Sequence, residues 1–200
     1  MSAHEIGEDS LSKALALVDE ANREDPNTEL WQGEACPKEW LYGLRMSAWL
    51  AKLDPDASPA RQLAARAQHI RRWTVPRESY PEGREGYLRW RKYLYGFHAE
   101  QAAAIAQAAG FDAEAVAAVQ KMVGKDGIKR DADVQIIEDT ACLVFLEHYF
   151  PDFAAKHEPD KLADIVRKTW KKMSASGQQA ALGIHLPDGL MAVVAEALGL

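Results

Sequence analysis

The sequence predicts an all-α protein, and three observations support this fold class. Apolar residues recur every three or four positions over segments of ten or more residues, as on the buried face of an amphipathic helix. Most of these segments begin at Ser, Asp or Pro and end near Gly or Pro, which are common helix starts and stops. No segment shows a convincing strand alternation. We therefore predict a single domain over residues 1–200, a bundle of about seven to eight helices.

Four helices are predicted in the first 110 residues, each with a recognisable start or end. Ser10 and Ser58 are suited to cap helices, Pro37 suits a first helical position, and Gly110 suits a helix end. A loop with two prolines and a glycine, Thr74 to Gly83, precedes the fourth and longest helix. The predicted bounds are Ser10–Arg23, Pro37–Leu53 and Glu85–Ala109, and the third helix begins at Ser58 and includes His69 and Ile70.

The remaining helices are predicted from similar signals. Asp112 caps the fifth, Asp131 or Asp133 opens the sixth, and Pro159 opens the seventh. The sixth is apolar nearly all round, as a central buried helix would be. The predicted bounds are Asp112–Val123, Asp131–Tyr149, Pro159–Gly177 and Pro187–Leu198.

The charge of the chain is acidic overall but basic in one segment. The net charge is −6 and the pI is about 5.5, which argues against general nucleic-acid binding. Residues 69–92 hold seven Arg or Lys against three Glu. A basic patch on an acidic protein fits a phosphate-bearing or anionic small ligand better than a polyanion.

The predicted location is the cytoplasm. The first eight residues lack the basic start and apolar run of a signal peptide, and no apolar stretch approaches the ~20 residues of a membrane span. We therefore expect Cys36 and Cys142 to be free thiols and expect no membrane partner.

The basic segment is also rich in Trp and Tyr, and this mixture predicts a pocket wall. Guanidinium groups clamp phosphate or carboxylate, and aromatic rings stack on planar groups. The alternative is that the Arg–aromatic contacts only pin a long loop. The predicted ligand contacts are Arg72, Trp73, Arg77, Tyr80, Arg84, Tyr87, Trp90 and Arg91, with Lys125 and Lys168 as further anion contacts.

Two histidines and an acidic pair form a second candidate constellation. His98 lies on the inward stripe of the fourth helix and His69 near that of the third, while Glu138 and Asp139 interrupt the apolar sixth helix. A buried carboxylate needs a cation, a donor or a metal. We predict His69, His98 and Asp139 as ligands of a divalent metal ion, with Glu138 and Asp139 as catalytic residues. The alternative is an Arg–carboxylate network that only orders the core, with no metal.

Several motifs together resemble the family called domain of unknown function 4202. The resemblance covers nearly the whole chain, but it brings no assigned reaction. The motifs are Gln68–Trp73 with Pro76–Arg77, Gly86–Arg91, Phe97–Ala99, Gln135–Asp139 with Leu143–Leu146, and Arg167–Trp170 with Lys172–Ser174.

A weaker resemblance is to the HD superfamily of helical metal-dependent phosphohydrolases. The order of His69, His98 and then Asp139 before Leu-Val-Phe-Leu-Glu is similar to the pattern of that superfamily. The resemblance implies an HD-like helical core and a metal site on these three residues. Ile70 stands where the superfamily has Asp, which implies one metal ion or none.

Three functions follow as hypotheses. The first is a metal-dependent phosphohydrolase-like protein acting on a phosphate-bearing small molecule or nucleotide. The second is a non-catalytic module that binds an anionic, nucleotide or RNA ligand through the Arg/Trp segment 71–91. The third is a non-haem iron oxygenase that uses two histidines and a carboxylate.

Overall fold

The computed structural model describes residues 8–199, with the backbone alone for Glu8 and Asp188. Residues 1–7, on which the expected absence of a signal peptide depends, lie outside this described part. The chain is 72% helical and holds ten α-helices and one small antiparallel sheet over the described residues, so the all-α prediction is confirmed. The elements are α1 Glu8–Arg23, β1 Thr28–Trp31, β2 Glu34–Pro37, α2 Lys38–Leu53, α3 Pro59–Arg66, α4 Gly83–Ala109, α5 Ala113–Val123, α6 Ala132–Val144, α7 Phe150–Ala154, α8 Pro159–Lys172, α9 Ala175–Ala181 and α10 Asp188–Leu198.

The helices fall into two compact units. The N-terminal unit is Met1–Asp126 and includes α1 to α5 with the two strands, and the C-terminal unit is Gly127–Leu200 and includes α6 to α10. In the N-terminal unit the long helix α4 packs on α5 and α1, and α3 packs on α2 and α5. None of the described helices is long and apolar enough to cross a membrane.

Each unit has its own apolar core. In the N-terminal unit all five helices contribute fully buried side chains, among them Val18, Met46, Leu63, Ala102 and Val119. In the C-terminal unit Phe150 packs with buried apolar residues of α8 and α10. Burying such side chains provides most of the stabilisation of each unit.

Three helix starts have the predicted caps, whereas α1 begins at Glu8, before the predicted cap Ser10. The side chain of Ser58 accepts the N–H of Arg61, and Asp112 accepts the N–H of Ala115. Asp131, rather than Asp133, caps α6, because its carboxylate accepts the N–H groups of Asp133 and Val134. These bonds satisfy backbone donors that a helix start would otherwise leave unpaired.

A β-hairpin before α2 was not predicted. Thr28 pairs with Pro37 and Trp31 with Glu34, around a turn in which Gln32 and Gly33 both have positive φ angles of 53° and 86°. Such a turn matches the twist of two antiparallel strands. The strands are four residues long and mostly exposed, so they carry no apolar alternation for the sequence to reveal.

The predicted third helix is too long by one turn. Helix α3 ends at Arg66, and residues 67–70 form turns that lead to Arg71 in the left-handed conformation. His69 therefore lies in a turn and not on a helix, although Ile70 is fully buried as predicted. A left-handed residue other than Gly is costly, so the surrounding contacts must hold Arg71 in place.

The helices of the C-terminal unit are also divided differently from the prediction. After α6 the backbone widens into a π-helical turn over Phe145–Tyr149, and Pro151 lies inside the first turn of α7, where it costs no hydrogen bond. The predicted seventh helix is two helices, α8 and α9, because Ser174 caps a new start with its side chain bonded to the N–H of Gly177.

Candidate functional site

The centre of the candidate site is a chain of polar contacts from Glu39 through His69 to Arg72. The Nδ1 atom of His69 lies 3.1 Å from Oε2 of Glu39, and Nη1 of Arg72 lies 2.9 Å from its Nε2. The same Nη1 atom also lies 3.2 Å from Nδ1, so the guanidinium contacts both ring nitrogens of His69. Tyr42 stacks on the other side of the imidazole, with ring centroids 3.8 Å apart. The imidazole is therefore fixed at its face and at both nitrogens.

The end of α1 positions this group. Nδ2 of Asn22 donates to the carbonyl of Glu39, and its Oδ1 accepts the N–H of Arg71. The carboxylate of Asp25 accepts the N–H of Glu39. Asn22 and Asp25 are both buried. Two short side chains therefore tie the start of α2 to the left-handed turn that carries Arg72.

Arg72 is itself held in one orientation. Besides His69, its guanidinium lies over the ring of Trp90, 5.0 Å from the centroid. Trp90 is buried and its indole N–H donates to the carbonyl of Val75, 2.9 Å away. An arginine fixed by such contacts presents its remaining N–H groups without further ordering, as an anion clamp requires.

His98 lies beside this group on α4 and is the least satisfied polar side chain of the site. Its ring centroid is 5.8 Å from that of His69, and the residue is 3% exposed. Its Nε2 atom is buried and has no hydrogen-bond partner among the described residues. A buried polar atom of this kind is uncommon and costs about 1–3 kcal/mol, which points to a partner that binds there.

Helix α4 presents further polar side chains at helical spacing with His98. Arg91, Tyr95, His98 and Gln101 lie at intervals of three or four residues, which places them along one side of the helix. Arg91 hydrogen-bonds the hydroxyl of Tyr95, and Gln101 accepts from the guanidinium of Arg71, 3.2 Å away. The ammonium of Lys125 lies over the ring of Tyr95 at 5.8 Å.

Two residues of this site lie in the left-handed region of the backbone. Arg71 has φ 51° and Lys125 has φ 58°, whereas only two other described residues besides glycines, Gln32 and Lys129, have positive φ. Such conformations cost of order 1–3 kcal/mol and cluster at functional sites. Here they orient the segments that bring Arg72 and Lys125 to the histidines.

Burial and positive charge shift three pKa values in the site. Burial lowers the pKa of His69 and of His98 well below the ordinary 6.5, and the nearby Arg72 and Lys125 lower both further. Burial also raises the pKa of the Glu39 carboxyl to about 7, against the opposing effect of Arg72 and Lys38. Both imidazoles are consequently neutral at pH 7.

The predicted arginine–aromatic wall is mostly used for internal contacts. Arg77 donates to the carbonyls of Tyr80, Pro81 and Gly83 and so closes the loop before α4. Arg84 and Tyr87 are exposed, while Trp73 and Tyr80 are half-buried. Of the predicted ligand contacts in this segment, the structure brings Arg72, Trp90 and Arg91 to the histidine group.

Lys168, one of the two predicted anion contacts outside this segment, is exposed on α8 in the C-terminal unit. Its ammonium pairs with Asp164 one turn earlier, 2.5 Å away. Such an exposed i,i+4 pair supports the helix weakly and indicates a solvated face.

The predicted catalytic residues of α6 have structural partners within the C-terminal unit. One oxygen of Asp139 accepts from the N–H of Ser174 and from Gln135, each at 2.8 Å, and the other accepts the hydroxyl of Ser174 at 2.5 Å. Asp139 thereby fixes the residue that caps α9. Glu138 is buried, with Lys172 at 3.8 Å.

The residues predicted to bind a metal ion already make contacts with other side chains. Both oxygens of Asp139 and both nitrogens of His69 already have partners, and the described part of the chain holds no group of three or more His, Cys, Asp or Glu suited to a metal ion. Arg72 and Lys125 also favour an anion beside the histidines over a cation. The divalent metal ion on His69, His98 and Asp139, and the iron site of the same composition, stay predictions.

Sequence reasoning missed Glu39, Tyr42 and Tyr95. Glu39 follows Pro37 at a helix start, where a carboxylate is commonly explained by the helix dipole. The sequence therefore did not indicate that Glu39 is buried against a histidine. Tyr95 had a usable signal, because it stands four residues after Arg91 and three before His98 on one predicted helix.

A comparison with protein families agrees with the resemblance read from the motifs. The model of the family described as Domain of unknown function (DUF4202) matches residues 12–194. The chain belongs to this family. The match includes Glu39, His69, Arg72 and His98, so the candidate site lies within the family domain. No curated protein and no solved structure matches the chain. The similarity to the HD superfamily stays a prediction.

Proposed function

We propose that the chain binds a phosphate-bearing small molecule at the histidine group of the N-terminal unit and hydrolyses its phosphate ester. The observation that carries this proposal is the buried Nε2 atom of His98, which has no partner within residues 8–199 and lies near the fixed cations Arg72 and Lys125. A phosphate oxygen beside His98 would accept a hydrogen bond from Nε2, and its negative charge would be stabilised by the two cations.

Different side chains bind the phosphate and transfer the proton. Arg72 donates to the phosphate oxygens, oriented by His69 and Trp90, and Lys125 with Arg91 offsets the negative charge. The bound anion raises the pKa of His98 again, because an opposite charge favours the imidazolium. The protonated His98 can then donate its Nε2 proton to the leaving alcohol oxygen as the phosphorus–oxygen bond breaks, while a water molecule attacks the phosphorus and gives its proton to solvent.

Titration with inorganic phosphate tests the binding part of this proposal. We expect Arg72→Gln to weaken phosphate binding at least about tenfold, because a charge-assisted contact is lost. Lys129→Gln is the matched control. Lys129 is an exposed cation in the loop between α5 and α6, which also contains Lys125. Equal phosphate affinity in the Arg72 and Lys129 variants would contradict the proposed site.

Release of p-nitrophenol from p-nitrophenyl phosphate tests the reaction. We expect His98→Gln to lose this activity while it still binds phosphate. Repeating the assay with a chelator separates two versions of the proposal: loss of activity supports the metal-dependent reaction, and unchanged activity supports a reaction that depends on the described side chains.

The second candidate is the non-catalytic binding module, and exposed aromatic side chains favour it. Tyr87, Leu88 and Tyr93 on α4 are 41%, 52% and 51% exposed. Exposed rings beside arginines are typical of surfaces that stack nucleobases. Nucleotide binding that is lost in Tyr93→Ala and kept in His98→Gln, with no hydrolysis, would favour this function.

A further inference from the structure

Positive charge is concentrated around His69. Four cations lower the pKa of this histidine and therefore act on the same imidazole: Arg72, Lys125, Lys38 and Arg91. The carboxylate hydrogen-bonded to His69 is Glu39, and its pKa near 7 means that it carries only part of a negative charge at neutral pH. The cations that act on His69 therefore outnumber the carboxylate that contacts it.

These cations come from separate segments of the chain. Arg72 follows the left-handed Arg71, Arg91 lies on α4, and Lys125 follows α5 in a left-handed conformation of its own. The guanidinium of Arg91 hydrogen-bonds the hydroxyl of Tyr95 and lies 5.4 Å from its ring centroid, and Lys125 lies over the same ring. Fixed cations interact with a bound anion without paying for their own ordering.

We infer that this site selects a phosphate monoester as its dianion over a phosphate diester. The inference rests on the proposed function and specifies its substrate class. A monoester carries two negative charges above a second pKa of about 6, whereas a diester carries one at any pH. Each added charge interacts favourably with every fixed cation nearby, and the second ester group of a diester also replaces an oxygen that could accept a charged hydrogen bond.

The test compares the binding of monomethyl phosphate and dimethyl phosphate by calorimetry at about pH 8, where the monoester is a dianion. We expect the intact chain to bind the monoester at least about tenfold more tightly. Lys125→Met removes one cation and should abolish most of this preference, mainly by weakening monoester binding. Lys129→Met, also at a left-handed lysine, should keep the preference.

Each remaining outcome counts against the inference in a different way. If both esters bind equally well and Arg72→Gln weakens both, the proposed phosphate site stands and the selection of the dianion is wrong. If neither ester binds, the proposed function fails and the inference fails with it. If Lys129→Met reduces the preference as much as Lys125→Met does, the preference comes from the general charge of the loop and not from the site.

Discussion

At the scale of single residues, His98 carries the clearest physical signature of the molecule. In the part of the chain that the structure describes, no group hydrogen-bonds Nε2, and burial keeps the imidazole neutral. An ordinary core histidine would bond both ring nitrogens. The sequence predicted the inward position of His98 from its place on the helix, but spacing alone cannot show whether a neighbour reaches the ring nitrogen.

The lowered pKa of His98 predicts a loss of stability in acid. Below about pH 6.5 the unfolded chain gains a proton on this histidine and the folded chain does not, so the free energy of unfolding falls as the pH falls. Between about pH 7.5 and about pH 5.5, His98→Gln should lose about 1 kcal/mol less stability than the unmodified chain. Urea denaturation at the two pH values measures this difference. The exposed His185→Gln is the control, and an acid response of His98→Gln equal to that of the unmodified chain would contradict the prediction.

At the scale of elements, side chains at helix ends determine where the site residues lie. Asn22 in the last turn of α1 and Asp25 just after it hold Glu39 and Arg71, and Asp139 holds the residue that caps α9. Glu39 and Asp139 therefore have different roles. The carboxylate of Glu39 contacts a histidine, whereas that of Asp139 fixes the start of a helix.

The close contact between α6 and α9 predicts a sensitive glycine. A Cβ atom at Gly177 would lie 2.7 Å from Cγ of Asp139, which is buried and bonded to Ser174. We expect Gly177→Ala to destabilise the C-terminal unit by about 1–3 kcal/mol, because the carboxylate cannot move without losing those bonds. Denaturant unfolding of this variant and of Gly189→Ala, where an added Cβ meets nothing within 4 Å, measures the effect. An unchanged stability of Gly177→Ala would show that Asp139 is free to shift.

The helices could be predicted from the sequence more completely than the connections between them. Ser58, Asp112 and Gly110 mark helix ends by local chemistry, so the sequence is sufficient there. The end of α3 before His69 depends on Asn22, 49 residues earlier than Arg71, and no local pattern contains that contact. The Glu39–His69 pair was missed for the same reason, since its partners are 30 residues apart.

At the scale of the whole molecule, the net charge of −6 separates the two proposed functions. A small phosphate ester needs only the local cations, whereas a polyanion also meets the acidic remainder of the surface. We therefore expect no binding of a labelled single-stranded RNA at about 0.15 M salt by fluorescence anisotropy, under conditions where inorganic phosphate binds. RNA binding that weakens steeply with salt would instead support the binding module.

Lys125 shows how the demands of folding and of binding differ at one position. Its φ of 58° is a conformation that glycine adopts at little cost, so glycine would relieve backbone strain there but would remove the ammonium near the histidines. Selection for thermal stability alone would favour glycine at position 125. We therefore expect a related chain with glycine at this position to have a higher free energy of unfolding and a lower affinity for phosphate.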